Sequence, residues 1–495
     1  MEKFYLTTPI YYVNAQPHIG HVYTTVAADV LARWHKFLGK EVFFLTGTDE
    51  HGSKIAAAAA EANLHPKDLA DSMVLRYQKL WKLLKIKFDR FIRTTEPEHE
   101  EVVRTVFSKL YRQGDIYQGT YTGFYCFFCE YYLAPGDGTI CPDCGRTAKK
   151  LSEKTYFFRL SRYQERLIDF FARHPDFIQP DQVKEEVNNL LSSSLPDLSL
   201  TRRCDWGISL PEEISEEGIT IYVWFDALLN YLSGVGYQRD DNTFQRFWPP
   251  DVQLIGKDII RFHHIIWPAI LMALQLPLPK RVFAHGWWLT GGEKMSKSKG
   301  NVIEPFTFCE KYGADALRYF LLAEVPFGLD GDFTETAFQK RYNSDLANDL
   351  GNLIHRFSNL IRNQFGGKVP EPGDGGILAK KVSSLLPKLE EKMDRIDFFG
   401  YLESLREVIT AANRYLDEEA PWRKGENSAQ VLYNLVEVSR ILSLYLEPFL
   451  PHAAVEIQKR LGLTELPSGK EALKWGLTKP GSQVTEGPPL FPRIK

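Results

Sequence analysis

Pro17-His18-Ile19-Gly20-His21 sets two histidines three residues apart, with a glycine between them, directly after an aromatic and β-branched run. Imidazoles donate hydrogen bonds to phosphate oxygens, and Gly20 would let a ligand come close to the backbone. A metal pair or two helix-surface histidines would show the same spacing, so the motif alone decides nothing. A second group lies far downstream: Gly291-Gly292-Glu293-Lys294-Met295-Ser296-Lys297-Ser298-Lys299-Gly300-Asn301. Its lysines alternate with small residues and glycines flank it as expected hinges, so it reads as a flap closing ammonium groups over phosphate. A solvated surface loop has the same composition. Third, Cys126-x-x-Cys129 and Cys141-x-x-Cys144 are two C-x-x-C pairs. Each forms a tight knuckle, and four thiolates satisfy a tetrahedral zinc ion with no position left for water, which makes the site structural. Disulfides are the alternative, but nothing in the sequence points to an oxidising compartment. Fourth, Asp49 in Gly47-Thr48-Asp49-Glu50-His51-Gly52 offers a carboxylate to a cationic amine, or else caps the helix that follows.

Elements must position these groups. Lys3 to Tyr12 alternates aromatic and β-branched residues as a buried strand does, and Pro9 and Pro17 are expected to mark its end and the next turn. From His18 the apolar positions Val22, Val26, Leu31 and Trp34 recur at helical spacing up to Gly39. A strand that turns into a helix N-terminus is where α/β sheets hold phosphate, because unpaired N–H groups and the positive end of the helix dipole converge there. Glu41 to Leu45 and the Ala-rich run Ser53 to Asn63 repeat the unit, so Asp49 falls at the carboxyl end of a second strand. The alternation gives an α/β class with a Rossmann-type parallel sheet. Neither G-x-G-x-x-G nor G-x-x-x-x-G-K-[ST] occurs, which argues against dinucleotide and P-loop nucleotide binding. After an aromatic, cysteine-bearing insertion the pattern resumes at Ile221 to Tyr231. It continues at Val252 to His264, where a strand ends in Gly256 and a helix starts at Lys257-Asp258. Beyond Phe338 the spacing of Leu346, Leu350, Leu353, Phe357 and Leu360 is helical and predicts a C-terminal all-α bundle. The expected domains are 1–115 and 222–290 as two halves of the α/β unit and 116–221 as the insertion. The flap region is 291–337, and the bundle and tail are 338–495.

Length and composition set bounds. A 495-residue chain with 44% apolar and 25% charged residues needs more than one core and is neither disordered nor fibrous. The apolar run Ile265 to Leu274 is too short for a bilayer and contains Pro268, and the first residues lack a signal-peptide pattern, so a cytoplasmic location without membrane contact is expected. A net charge of −3 means that any nucleic acid must be held by local basic and aromatic patches. Six cysteines are too few for a disulfide scaffold, and Cys204 and Cys309, outside the knuckles, are expected to be buried.

His18-Ile19-Gly20-His21 with Lys294-Met295-Ser296-Lys297-Ser298 resembles the signature pair of class I aminoacyl-tRNA synthetases. Within that class the chain is similar to the methionyl-tRNA synthetase family, in its single-zinc-knuckle bacterial type. The similarity is carried by Thr8-Pro9-Ile10-Tyr11-Tyr12, Gly47 to Gly52, the cysteine knuckles, Tyr222 to Ala227, Phe262-His263 and Ala420-Pro421-Trp422. The resemblance implies a ligase that activates L-methionine with ATP and transfers it to the 3′ end of tRNA(Met), initiator and elongator alike. ATP, accompanied by Mg2+, would lie between His18, Gly20 and His21 and the flap residues Lys294, Met295, Ser296, Lys297 and Ser298. His18, His21, Lys294 and Lys297 would stabilise charge on the phosphates. Methionine would occupy Ile10, Tyr12, Trp224, Ala227, Tyr231, Phe262, His263 and Trp267, with its amine on Asp49. Asn352, Arg356 and Trp422 would read the anticodon. Leu228 stands where some relatives have proline, which puts the local backbone of the pocket in question. The insertion leaves no room for a large editing domain, and the absence of an OB-fold pattern after the bundle suggests a monomer. An H-x-G-H nucleotidyltransferase would account for the histidines but not for the flap, the knuckle or the bundle. A tRNA-binding paralogue without catalysis would not need intact histidines and lysines.

Overall fold

The computed structural model describes residues 2–126, 131–133, 138–141, 145–214, 216–295, 302–423, 425, 427–463, 467 and 469–495, with backbone alone at Tyr131 and Lys294. β1 (Lys3–Tyr12) is buried along most of its length on both faces, as a central parallel strand must be. Pro9 does not end it. The pairing register slips between Thr7 and Ile10, because proline brings no N–H to the ladder and the strand bulges around it.

α1 (Ile19–Phe37) follows, then β2 (Glu41–Asp49), α2 (Ser53–Glu61), α3 (Pro66–Leu83), β3 (Arg90–Arg93) and α4 (Pro97–Arg112). The main sheet has six parallel strands in the order β3, β2, β1, Val252–Gly256, Val282–His285, Ile178–Gln179. The order reverses between β1 and Val252–Gly256, so the carboxyl ends of those two strands flank the crevice where doubly wound sheets bind ligands. The sixth strand lies within the 116–221 stretch assigned to the insertion. Its two residues pair with Val282 and Phe283, so the inserted segment returns to the main sheet before it ends. A two-residue strand carries no periodicity by which to recognise it. The rest of the insertion comprises an antiparallel sheet built on the long hairpin Ile116–Cys126 with Lys149–Phe158, the helices Gln164–Arg173 and Gln182–Ser192, and the two-stranded sheet of Thr201–Arg203 with Ile219–Ile221.

Two apolar cores flank the main sheet. One runs from Phe4 and Trp34 through Leu317 and Phe320 to Leu435 and Phe449, so α1 and the C-terminal helices share it. The other joins Tyr5 and Leu45 to the insertion and to the helices after Tyr222. Each fully buried large apolar side chain contributes about 1.5–3 kcal/mol relative to exposure. The bundle contains Asn352–Phe365, Phe398–Glu419, Ser428–Leu446 and Pro451–Arg460. Its junction with α1 also has a polar centre. Asp29 and Arg318 are fully buried and 2.8 Å apart, Arg33 Nε donates to the same Asp29 oxygen at 2.7 Å, and Arg318 Nε donates to Phe449 O at 3.0 Å.

Candidate active site

The start of α1 is built from the two histidines themselves. His18 is the N-cap in extended conformation, and its Nδ1 accepts from Gly20 N–H at 3.1 Å. His18 N–H in turn donates to His21 Nδ1 at 3.2 Å, closing a reciprocal capping box in which histidines take the roles usual for serine and glutamate. The rings stack with centroids 3.8 Å apart. A Cβ on residue 20 would stand 3.0 Å from His18 Cε1, so the glycine gives the ring its seat. Because each Nδ1 accepts a backbone N–H, the proton of each neutral imidazole sits on Nε2. Burial, with His18 alongside, holds the His21 pKa well below the usual histidine value, so at neutral pH this ring is a hydrogen-bond donor and not a cation. His285, at the end of Val282–His285, fixes the helix start from the side: Thr24 Oγ1 lies 2.6 Å from its Nε2, and its Nδ1 donates to Gly286 O at 2.8 Å.

Asp49 ends β2 directly opposite Tyr12 in the β1–β2 ladder and is almost fully buried. It does not cap α2, whose N-cap is Gly52. The aromatic residues spread along the sequence converge. Trp224, on the short helix Val223–Leu228, stacks on Phe262 with centroids 3.7 Å apart and planes within 11°. Tyr231 lies 5.6 Å from Trp267 and donates its hydroxyl to His263 Nε2 at 2.7 Å, while His263 Nδ1 donates to Ile259 O at 3.1 Å. Burial pushes the His263 pKa down to about 3, so the pocket wall is uncharged. Trp267 Nε1 donates to Gln253 Oε1 at 3.1 Å, which orients a fully buried indole. Ile10, Tyr12 and Trp224 are half-buried at the margin of this cluster, and Ala227 lies three residues beyond Trp224 on the same helix. Leu228 is buried at that helix's last position, and the helix needs no proline to end there.

The flap begins as a hairpin. Trp288–Thr290 pairs antiparallel with Glu293–Lys294 across Gly291 and Gly292, whose φ angles of 62° and 76° are those of a two-residue turn that favours glycine at both places. These two glycines, expected to be hinges, form a tight turn, and Gly292 N–H donates to Asp332 Oδ1 at 3.3 Å. Met295 packs half-buried against the first core. Ser296, Lys297, Ser298 and the Lys294 side chain lie outside the described residues, as do Cys129 and Cys144.

Cys126 and Cys141 are both buried in one small cluster with Leu133 and Ala148. Gly145 N–H donates to Cys141 O at 2.9 Å. Among the described residues no three potential metal-ligating side chains gather. Cys309 is buried as expected, whereas Cys204 is half-exposed with its thiol 3.4 Å from Trp206 O. In the bundle, Asn352 is exposed and Arg356 half-exposed on the same helix. The Arg356 guanidinium lies 5.8 Å from the ring centre of Trp422 and 2.5 Å from Asp417. Trp422 is 43% exposed, which removes it from the core and leaves its face available for stacking.

The profile of class I tRNA synthetases (M) matches residues 4–152 and 141–358, and that of the anticodon binding domain of methionyl tRNA ligase matches 368–495. The chain belongs to the methionyl-tRNA synthetase family. The methionine–tRNA ligase of Caldanaerobacter subterraneus subsp. tengcongensis is 47% identical over 100% of this chain and 79% of its own length, and that of Thermotoga maritima 43% over 99% and 80%. Among solved structures, Mycobacterium tuberculosis methionyl-tRNA synthetase in complex with methionyl-adenylate aligns at TM-score 0.95 with 39% identity, covering 100% of both chains. Its free-state form aligns at 0.86 with 37% identity, covering 100% of this chain and 99% of that one. The arrangement of this chain is thus nearer to the adenylate-bound synthetase. Sequence reasoning named the histidines, Asp49 and the aromatic wall. It missed His285, Gln253 and the buried partners of His51, whose contacts span long stretches of chain.

Proposed function

We propose that this chain is a methionine–tRNA ligase, and the observation that carries the reading is the histidine-capped start of α1 at the sheet's switch point together with the convergence of Trp224, Phe262, Tyr231 and Trp267. L-Methionine is activated with ATP to methionyl-adenylate, and the methionyl group is then passed to the 3′ end of tRNA(Met). Its ammonium group pairs with Asp49, and its thioether lies against Trp224, Tyr231, Phe262 and Trp267, where a polarisable sulfur packs well on aromatic rings. A methionine carboxylate oxygen attacks the α-phosphorus of ATP. The new C–O–P linkage forms as the bond to the bridging oxygen breaks, and pyrophosphate departs with the electron pair. Nε2–H of His18 and His21 donates to phosphate oxygens as charge builds, while Lys294 and Lys297 meet the leaving pyrophosphate. The chain does little covalent work; its contribution is placement and charge stabilisation. Mg2+ would accompany ATP and neutralise phosphate charge.

The burial of Cys126 and Cys141 in one cluster, with the two C-x-x-C pairs of the sequence, fits a structural zinc that Cys126, Cys129, Cys141 and Cys144 would hold, fastening the end of the inserted hairpin. Asn352 and Arg356 present polar groups to anticodon base edges and Trp422 stacks an unpaired base, the usual means of recognising single-stranded RNA. The test is charging of a tRNA(Met) transcript with labelled methionine. Acceptance of methionine and rejection of leucine and norvaline is the expected result, and charging with another amino acid would overturn the assignment.

A further inference from the structure

Behind the methionine pocket lies a buried string of polar side chains that takes no direct part in adenylate formation. Asp226 sits on the helix Val223–Leu228, next to Ala227 and two residues after Trp224, and is fully buried. Its Oδ2 is 2.8 Å from His51 Nδ1, and its Oδ1 is 2.6 Å from His99 Nε2. His99, fully buried on α4, brings its Nδ1 to 2.7 Å from Ser233 Oγ. Every segment that this string joins carries a pocket residue, apart from α4. His51 follows Asp49 by two positions in the turn after β2. Asp226 shares its helix with Trp224 and Ala227, and Ser233 shares the next one, Asn230–Ser233, with Tyr231. α4 supplies the fixed post behind them.

A carboxylate removed from water needs both oxygens satisfied, so each imidazole is held firmly to its own oxygen and the distance between their backbones is set. Apolar residues of similar size would fill the same volume but would let the turn slide against the helices. Glu50, the neighbour of His51, is itself fixed by Arg93 Nε at 2.7 Å and by Thr48 Oγ1 at 2.6 Å, so the turn is braced from its other side as well.

The structure assigns to His51, Asp226 and His99 a positioning role: together they hold the Asp49 carboxylate at a fixed distance from the pocket faces of Trp224, Ala227 and Tyr231. This role rests on the proposed binding of methionine at those residues. If it holds, loosening the string acts on methionine and leaves ATP, whose binding groups lie on α1 and the flap, alone.

The experiment uses the full chain and methionine-dependent exchange of pyrophosphate into ATP, with each substrate varied in turn. Asp226→Asn and His99→Leu are expected to raise the methionine KM by about tenfold or more, with the ATP KM within about twofold. His99→Gln puts an N–H where Nε2 stands and His51→Asn puts one where Nδ1 stands. Both are expected to recover most of the loss seen with leucine at the same position. Parallel rises in both KM values, or a glutamine variant no better than leucine, would overturn the assignment, as would an unchanged methionine KM in a protein that only melts earlier. If Asp226→Asn does not fold, the His99 pair decides, and failure of both His99 variants to fold would give the string a role in folding alone. Absence of methionine-dependent exchange in the unaltered chain would instead reject the proposed function.

Discussion

Among single residues, the histidine pair behaves differently from what a list of charged groups suggests. Both Nδ1 atoms are taken by backbone N–H groups and burial disfavours a charge on His21, so the pair offers two Nε2–H donors, of which the His21 ring is uncharged. His21→Ala is expected to lower kcat for adenylate formation by about 10²–10³-fold, the usual cost of one lost transition-state donor, with little change in methionine KM. His21→Gln, which keeps an N–H near Nε2, is expected to retain more activity than His21→Asn. Equal activity of the two would argue against a proton on Nε2. At the other end of the molecule, Trp422→Ala is expected to reduce kcat/KM for tRNA charging by about 5–150-fold, the loss of 1–3 kcal/mol of base stacking, while pyrophosphate exchange stays unchanged. A parallel fall in both would mean that the tryptophan supports the fold. The histidines, Asp49 and the aromatic residues were legible in the sequence because motif and local element coincide. His51, His99 and Asp226 were not, because their contacts join residues 175 and 127 positions apart.

Among the elements, α1 does two jobs. Its first turn holds the histidines, and its second half is sealed into the bundle through Asp29, Arg33 and Arg318. Asp29→Ala leaves two buried guanidinium groups without their shared carboxylate and is expected to destabilise the chain by about 3–5 kcal/mol, read as a lower denaturant midpoint. A change below about 1 kcal/mol would show that the junction is held by apolar packing alone. The strand–helix alternation that predicted a Rossmann-type sheet was readable because β1, α1 and β2 each carry a clear period. Pro9 misled as a strand end because a bulge absorbs a missing N–H as well as a break does. Gly291-Gly292 is a hairpin signal in its own right, although the lysines beside it give the segment the composition of a flexible loop. The two-residue strand Ile178–Gln179 has too little sequence to read and is placed by its partner Val282–His285. For the knuckle, metal analysis of protein purified without chelator is expected to find one zinc per chain, and chelation is expected to loosen the hairpin tip before the main sheet. Full retention of hairpin protection from hydrogen exchange after zinc removal would contradict a structural ion.

For the molecule as a whole, buried histidines set the acid limit of stability. His21, His263, His264 and His285 all have pKa values pushed down by burial, to about 3 for His263 and about 4 for His264. A depressed folded-state value means that the unfolded chain binds the proton more readily. The contribution of each is therefore complete above the unfolded pKa of about 6.5 and is lost as pH falls towards the folded value, at up to about 1.4 kcal/mol per pH unit for each group. His35 is pushed down by burial to about 3 as well. For His51 burial also lowers the pKa, but Asp226, Glu100 and Glu50 more than offset it, and the raised value gives the opposite slope for one group against five. The thermal midpoint is expected to fall between pH 7 and pH 5, and a midpoint that rises over that range would contradict the burial of neutral imidazoles. Among the described residues no helix is long and apolar enough to cross a membrane. Everything proposed for this chain depends on the histidine pair, Asp49 and the aromatic pocket activating methionine and no other amino acid. Pyrophosphate exchange into ATP, measured with each of the twenty amino acids in turn, is the decisive measurement. Exchange with methionine alone is the predicted result, while exchange driven by another amino acid, or none with methionine, would contradict it.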